Sequence, residues 1–275
     1  MGVQAPTRSP KELGTSGDWR RRLLLHHAPL ALASAVVLVL FMSFPSFDTR
    51  RYVPLDMASS RAIPQGYSDR MNRDGGLRYS FARQFTVATG YVATGLLGVT
   101  LLIGPANLLL RRRNPISSYL RRDVGTWTAL FSVVHVVFGL QAHGGGELSA
   151  VLNYFFAPDG RPLTNSFGLA NWTGLAALVI VVVLLALSTD GALRELKART
   201  WKDLQRLNYT LFALVILHAF FYGALLRMTS PFTLLSVLTV IAVVVGQAAG
   251  VWLWRRRHAR ARAQPARVAV GGATR

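Results

Sequence analysis

Six apolar runs, each long enough to cross a bilayer, leave this chain few folds to choose from. They cover residues 24–44, 85–110, 124–142, 168–188, 204–226 and 231–254. A hydrocarbon core of about 30 Å needs roughly 20 helical residues. The runs are continuous rather than alternating, and lipid requires every backbone polar group to be satisfied within the segment. Helices are therefore expected and strands are not. The reading is an all-α, polytopic membrane bundle of six transmembrane helices. Gly104-Pro105 is placed to kink the second span, and Gly90, Gly95 and Gly98 on it would let neighbouring helices approach closely.

Charge supplies the orientation. The formal net charge is +19, yet half of the residues are hydrophobic. The basic residues sit in short clusters between apolar runs, which argues against a nucleic-acid binder. One set of inter-span segments holds 22 Lys and Arg and the opposite set 9. By the positive-inside rule both termini of this multi-pass membrane protein are expected to be cytoplasmic. Residues 1–22 then form a cytoplasmic N-terminal segment without a cleavable signal. Residues 23–254 form the bundle, and 255–275 form a basic, disordered cytoplasmic tail drawn to anionic lipid. The loops 46–84 and 143–167 face outward and carry turn sequences such as Arg73-Asp74-Gly75-Gly76, Gly144-Gly145-Gly146 and Pro158-Asp159-Gly160.

The chain contains no cysteine. That removes disulfides, Cys-ligated iron–sulfur clusters and thioether-attached haem from consideration. It also puts the weight of any metal chemistry on six histidines. His26 and His27 adjoin Arg20–Arg22 and read as interfacial, and His258 lies in the tail. His143 closes the third span. His135 and His218 are different, because each interrupts an apolar run, in FSVVHVVFGLQAH and LFALVILHAFFYG. Counting the helical rise from Val124 and Leu204 places them about 17 Å and 21 Å into the membrane.

A single histidine at that depth is most simply bonded to a neighbouring helix's hydroxyl or carbonyl. Two at matched depth on helices of the same direction favour a shared ligand. A b-type haem fits best, since its iron takes two axial imidazoles and its macrocycle is apolar. A closed zinc site would want about four ligands, and no other His, Cys, Asp or Glu lies at that level. Trp127, Phe131, Phe138, Phe220, Phe221 and Tyr222 are near enough in sequence to pack a porphyrin, although aromatic spacing of this kind is also ordinary core.

The segments around both histidines are similar to a known family. RRDVGTWTALFSVVHVVFGL, with Arg121, Arg122, Gly125, Trp127 and His135, resembles the third helix of the bacterial ferric-reductase-like transmembrane haem domain. WKDLQRLNYTLFALVILH, with Trp201, Leu204, Tyr209 and His218, resembles its fifth, and NSFGLANWTG (165–174) the entry to its fourth. The resemblance spans roughly 85–230. It implies haem b held between the third and fifth helices, with His135 and His218 as the outer-side axial pair. Where relatives carry a second pair of histidines, this chain has Arg121 and Gln205. A guanidinium seeks carboxylate or phosphate and a glutamine is a poor iron ligand, so one haem is expected and a second is doubtful. Arg121, Trp127, Gln205 and Arg83 remain candidates for contacts to the cofactor, Arg83 through haem propionates.

The function that follows is one-electron transfer in the electron-transfer subunit of an oxidoreductase. Nowhere do these residues read as a flavin- or nicotinamide-binding module. Electrons are therefore expected from a quinol or a separate flavoprotein, with quinone or flavin supplied from outside, and to leave for an outward-facing acceptor protein or ferric iron. The rivals are a transporter subunit, disfavoured because Asp and Glu are absent from the span centres, and a haem-free membrane scaffold.

Overall fold

The computed structural model describes residues 21, 23–43, 76–110, 116–144, 151–196, 198–225 and 231–271. A π-helical turn, Leu23–His27, leads into α1, Ala28–Ser43; there follow α2 Gly76–Leu109, α3 Ile116–Gly144, α4 Ser166–Leu187, α5 Asp190–Glu195, α6 Ala198–Gln205, α7 Leu207–Phe221 and α8 Pro231–Gly271. Among the described residues there is no strand, only an isolated bridge between Phe156 and Pro162. Among the described residues six helical segments are long and apolar enough to cross a membrane, the fifth of them spanning Asp203–Phe221, and they correspond one to one with the six apolar runs. Most of the expected turn residues in 46–75 and 145–150 lie outside the described residues.

The structure departs from the sequence reading in three places. The fifth span is not one helix: α6 ends at Gln205, Arg206 forms a turn, and α7 begins at Leu207. The second helix is longer than its apolar run and keeps Pro105 inside it. The basic segment from residue 255, expected to be disordered, continues α8 as far as Gly271. Its alternation of Ala and Arg, both strong helix formers, accounts for that continuation.

Packing divides the bundle into two antiparallel pairs, α2 with α3 and α4 with α7, with α8 laid along α2 and α1 against both, where Phe41 meets Tyr91 and Phe232. Of the three glycines singled out on α2, Gly90 and Gly98 face close neighbours and Gly95 faces none. The buried apolar core is formed by Leu97, Leu101, Ala129, Ala177, Val181, Leu184, Leu211, Phe212 and Val243. The lipid-facing residues of α1, α4 and α8 are exposed and aliphatic, as in Leu32, Val179 and Val244. Each helix thus buries one stripe and gives the rest to hydrocarbon.

Candidate functional site

A cavity of about 410 Å³, within the usual size of a ligand pocket, lies between the α2–α3 and α4–α7 pairs, with Ser236 and Val240 of α8 also lining it. His135 from α3 and His218 from α7 both line it. Their ring centroids are 5.9 Å apart, with planes at 81°. Two imidazoles sharing one metal ion between them, at about 2 Å per metal–nitrogen bond plus the ring radii, stand about 6 Å apart. The sequence-predicted pair is therefore brought together at a ligand-sized spacing.

Each histidine is held by the same device. Nδ1–H of His135 donates to the carbonyl oxygen of Thr86 at 2.8 Å, and Nδ1–H of His218 donates to that of Ala170, also at 2.8 Å. A carbonyl only accepts, so these bonds fix the tautomer and leave Nε2 as the nitrogen with a free lone pair. Four residues beyond each acceptor comes a glycine. A Cβ on Gly90 would stand 3.0 Å from His135 Nδ1, and one on Gly174 2.8 Å from His218 Nδ1. The missing side chains expose a helical carbonyl that is otherwise covered by its own helix. Both histidines are thus bonded to carbonyls, as the plainer reading of a membrane histidine required. A carbonyl on the second nitrogen is also how a metal-ligating imidazole is oriented.

The rest of the lining is apolar, with Val136, Leu178, Val215 and Ile216 among it. Polar groups collect at the end near residue 154. The Tyr222 ring lies 5.1 Å from the His218 ring, and its hydroxyl donates to Asn171 Oδ1 at 2.8 Å. Asn171 Nδ2 donates to the carbonyls of Phe167 and Tyr154. The Tyr154 hydroxyl in turn donates to the carbonyls of Gly139 and Leu140. Tyr154 is thereby tied to α3 and α4 at this end of the cavity, where Val151 and Phe155 also line it. Phe155 and Phe156 pack on Trp172, a grouping typical of the membrane interface.

The other candidates are placed as follows. Arg83 lines the cavity. Trp127 does not; its Nε1–H donates to His27 Nδ1 at 3.1 Å. Gln205 ends α6, where its backbone and side-chain oxygens both accept from Asn208. Arg121 lies outside the cavity lining, and its Nε is buried without a hydrogen-bond partner. Phe138 packs on Phe85 and Phe81 rather than into the cavity. One helical turn beyond the lining residues Leu97, Val181 and Leu211, the interior is filled by Leu101, Leu184 and Leu207.

Sequence reasoning missed Thr86, Ala170 and Gly174 as the seats of the histidines. It also missed a buried carboxylate. Asp123, 2% exposed, accepts from His26 Nδ1–H at 2.6 Å, with His27 Nε2 3.7 Å from its other oxygen. Neither Thr86 nor Ala170 carries a side-chain signal, because each accepts through its backbone carbonyl.

Comparison with known proteins agrees with this architecture. Residues 89–217 match the family described as ferric reductase like transmembrane component. That stretch includes His135 and ends one residue before His218. Over 172 residues the chain is 27% identical to the protein-methionine-sulfoxide reductase heme-binding subunit MsrQ of Ralstonia nicotianae. The match covers 62% of this chain and 71% of that protein.

Proposed function

Starting from a ferric-reductase-like transmembrane protein, we propose that the chain is a b-type haem protein of a bacterial plasma membrane. It serves as the electron-transfer subunit of an oxidoreductase. The observation that carries this reading is the facing pair His135 and His218, each with Nδ1–H tied to a carbonyl and both lining one apolar cavity. The relative named as heme-binding supports it, as does the donor set, which offers two imidazoles and no thiolate or carboxylate. Bound between those imidazoles, haem supplies one-electron ferric/ferrous chemistry.

The chain's own residues do the rest. Thr86 and Ala170 set the imidazole tautomers and raise their basicity as ligands. The aliphatic walls from α2, α4 and α7 exclude water, and burial of this kind tunes a haem potential. Arg83, at the mouth of the cavity, is assigned to the propionates, since guanidinium pairs with carboxylate in a planar fork. Neither Arg121 nor Gln205 lines the cavity, and apolar side chains fill the next turn inward. Both facts support a single haem.

With the basic end cytoplasmic, electrons enter from a quinol or flavoprotein and leave at the Tyr154 end for a partner protein or ferric iron. Proteoliposomes loaded with ferricyanide and given an external reductant test this. Reduction of the enclosed ferricyanide is expected with the wild-type chain and not with His135→Ala. Equal rates in both would refute the proposal.

A further inference from the structure

The second concentration of ionisable groups in the membrane region lies at the other end of the bundle. It joins the π turn Leu23–His27 to the first turns of α3. Asp123 is 2% exposed, inside a helix that crosses the membrane. Its Oδ2 accepts from His26 Nδ1–H at 2.6 Å, a short, charge-assisted distance. His27 adds its Nε2 at 3.7 Å from Oδ1 and takes the Trp127 indole N–H on Nδ1. Two helices almost a hundred residues apart in sequence thus converge on one carboxylate.

A staple between α1 and α3 would need only one such bond. The geometry supplies more than that. Because His26 uses Nδ1 toward Asp123, its Nε2 is left with no partner among the described residues, and its side chain stays 17% exposed. A carboxylate-oriented imidazole with a free Nε2 is the arrangement of a general base. Leu23, Leu24 and Leu25, which precede His26 in the same turn, are 48%, 68% and 60% exposed. Along α3 the cavity lining begins at Thr128, five residues from Asp123. Trp127 packs on Phe131 at 6.0 Å between centroids, and the next residue, Thr128, lines the cavity.

Haem accepts electrons without protons, so a donor that releases both needs a base next to it. We propose that His26, oriented by Asp123 and flanked by His27 and Trp127, is the proton acceptor for a membrane hydroquinone oxidised at this junction. The inference rests on the haem reading above for the electron acceptor. The hydroquinone loses two O–H protons and two electrons and becomes the quinone. Each electron would pass singly to a haem held by His135 and His218, which the outer acceptor would reoxidise before the second arrives. Each proton goes to His26 Nε2 and then to water at the basic end, which restores the neutral imidazole for the next. A base positioned in this way contributes about 10²-fold or more to rate.

The test uses the full chain in lipid nanodiscs, with menadiol as the hydroquinone and an azido-naphthoquinone as photolabel. His26→Gln keeps an N–H for Asp123 but removes the base, and Asp123→Asn keeps the shape but removes the charge. Both are expected to slow haem reduction by menadiol about 10²-fold or more. Reduction by dithionite and the haem spectrum stay unchanged. The photolabel is expected on residues 23–27 or 123–131 and to be displaced by excess menadione. Menadiol reduction of His26→Gln at the wild-type rate, with or without a loss of thermal stability, reduces the cluster to a staple and overturns the proposal. So does label that menadione fails to displace. Labelling needs no haem, so a haem-free preparation would refute the function proposed above while this site is still judged by its own readout.

Discussion

A methyl group on Gly174 would stand 2.8 Å from Nδ1 of His218, nearer than packed atoms approach. Gly174→Ala must therefore displace the imidazole or the helix beneath it. Overpacking of this kind costs about 1–3 kcal/mol. The variant is expected to bind less haem than wild type and to melt lower, as read by absorbance and a thermal scan. Gly90→Ala, where the approach to His135 is 3.0 Å, is expected to show the same defect more weakly. Full haem content in Gly174→Ala would show that the contact does not matter.

The Tyr222 hydroxyl is the partner of Asn171 Oδ1 within the cavity lining. Tyr222→Phe leaves that acceptor unpaired, at a cost of about 1–3 kcal/mol. Haem should remain, because the axial nitrogens are untouched, while the melting temperature falls. Asn171→Leu on the Tyr222→Phe background also removes the bonds from Nδ2 to the carbonyls of Phe167 and Tyr154, so a further loss is expected, and a double-mutant cycle measures the coupling.

Arg83 lines the cavity and is the basic residue assigned to the propionates. A nearby cation favours the ferrous over the ferric state, because reduction removes one positive charge. Arg83→Gln is expected to lower the haem midpoint potential by on the order of tens of millivolts, the equivalent of about 1 kcal/mol. A potentiometric titration gives the answer. An unchanged potential would remove Arg83 from the site.

Iron and haem assays per chain should return one. The next turn inward of the cavity is filled by Leu101, Leu184 and Leu207, and Gln205 spends both of its oxygens on Asn208. Two haems in the purified protein would mean that Arg121 and Gln205 had been misread.

Much of this architecture can be read from residue order, because hydrocarbon enforces it. Twenty apolar residues without a break admit one structure, and two histidines counted along parallel spans come out at one depth. What holds those histidines is less visible. Thr86 and Ala170 act through backbone carbonyls, which every residue possesses, so nothing about threonine or alanine announces the role. Gly174 shows itself only when His218 is already known to lie against it. The pairing of His26 with Asp123 links two helices 97 positions apart, and no local periodicity encodes that contact. The break at Arg206 falls in the polar stretch Asp203-Leu204-Gln205-Arg206-Leu207-Asn208, where a turn and a continued helix read alike in the residue order.

The central claim is that His135 and His218 together hold one haem. Its most direct test is the reduced-minus-oxidised spectrum of the purified protein, recorded for wild type, His135→Ala and His218→Ala from haem-replete cells. The prediction is a b-type spectrum in wild type and none in either variant, with all three chains still in the membrane fraction. A haem-free wild-type protein, or a full b-type spectrum in either variant, would contradict it.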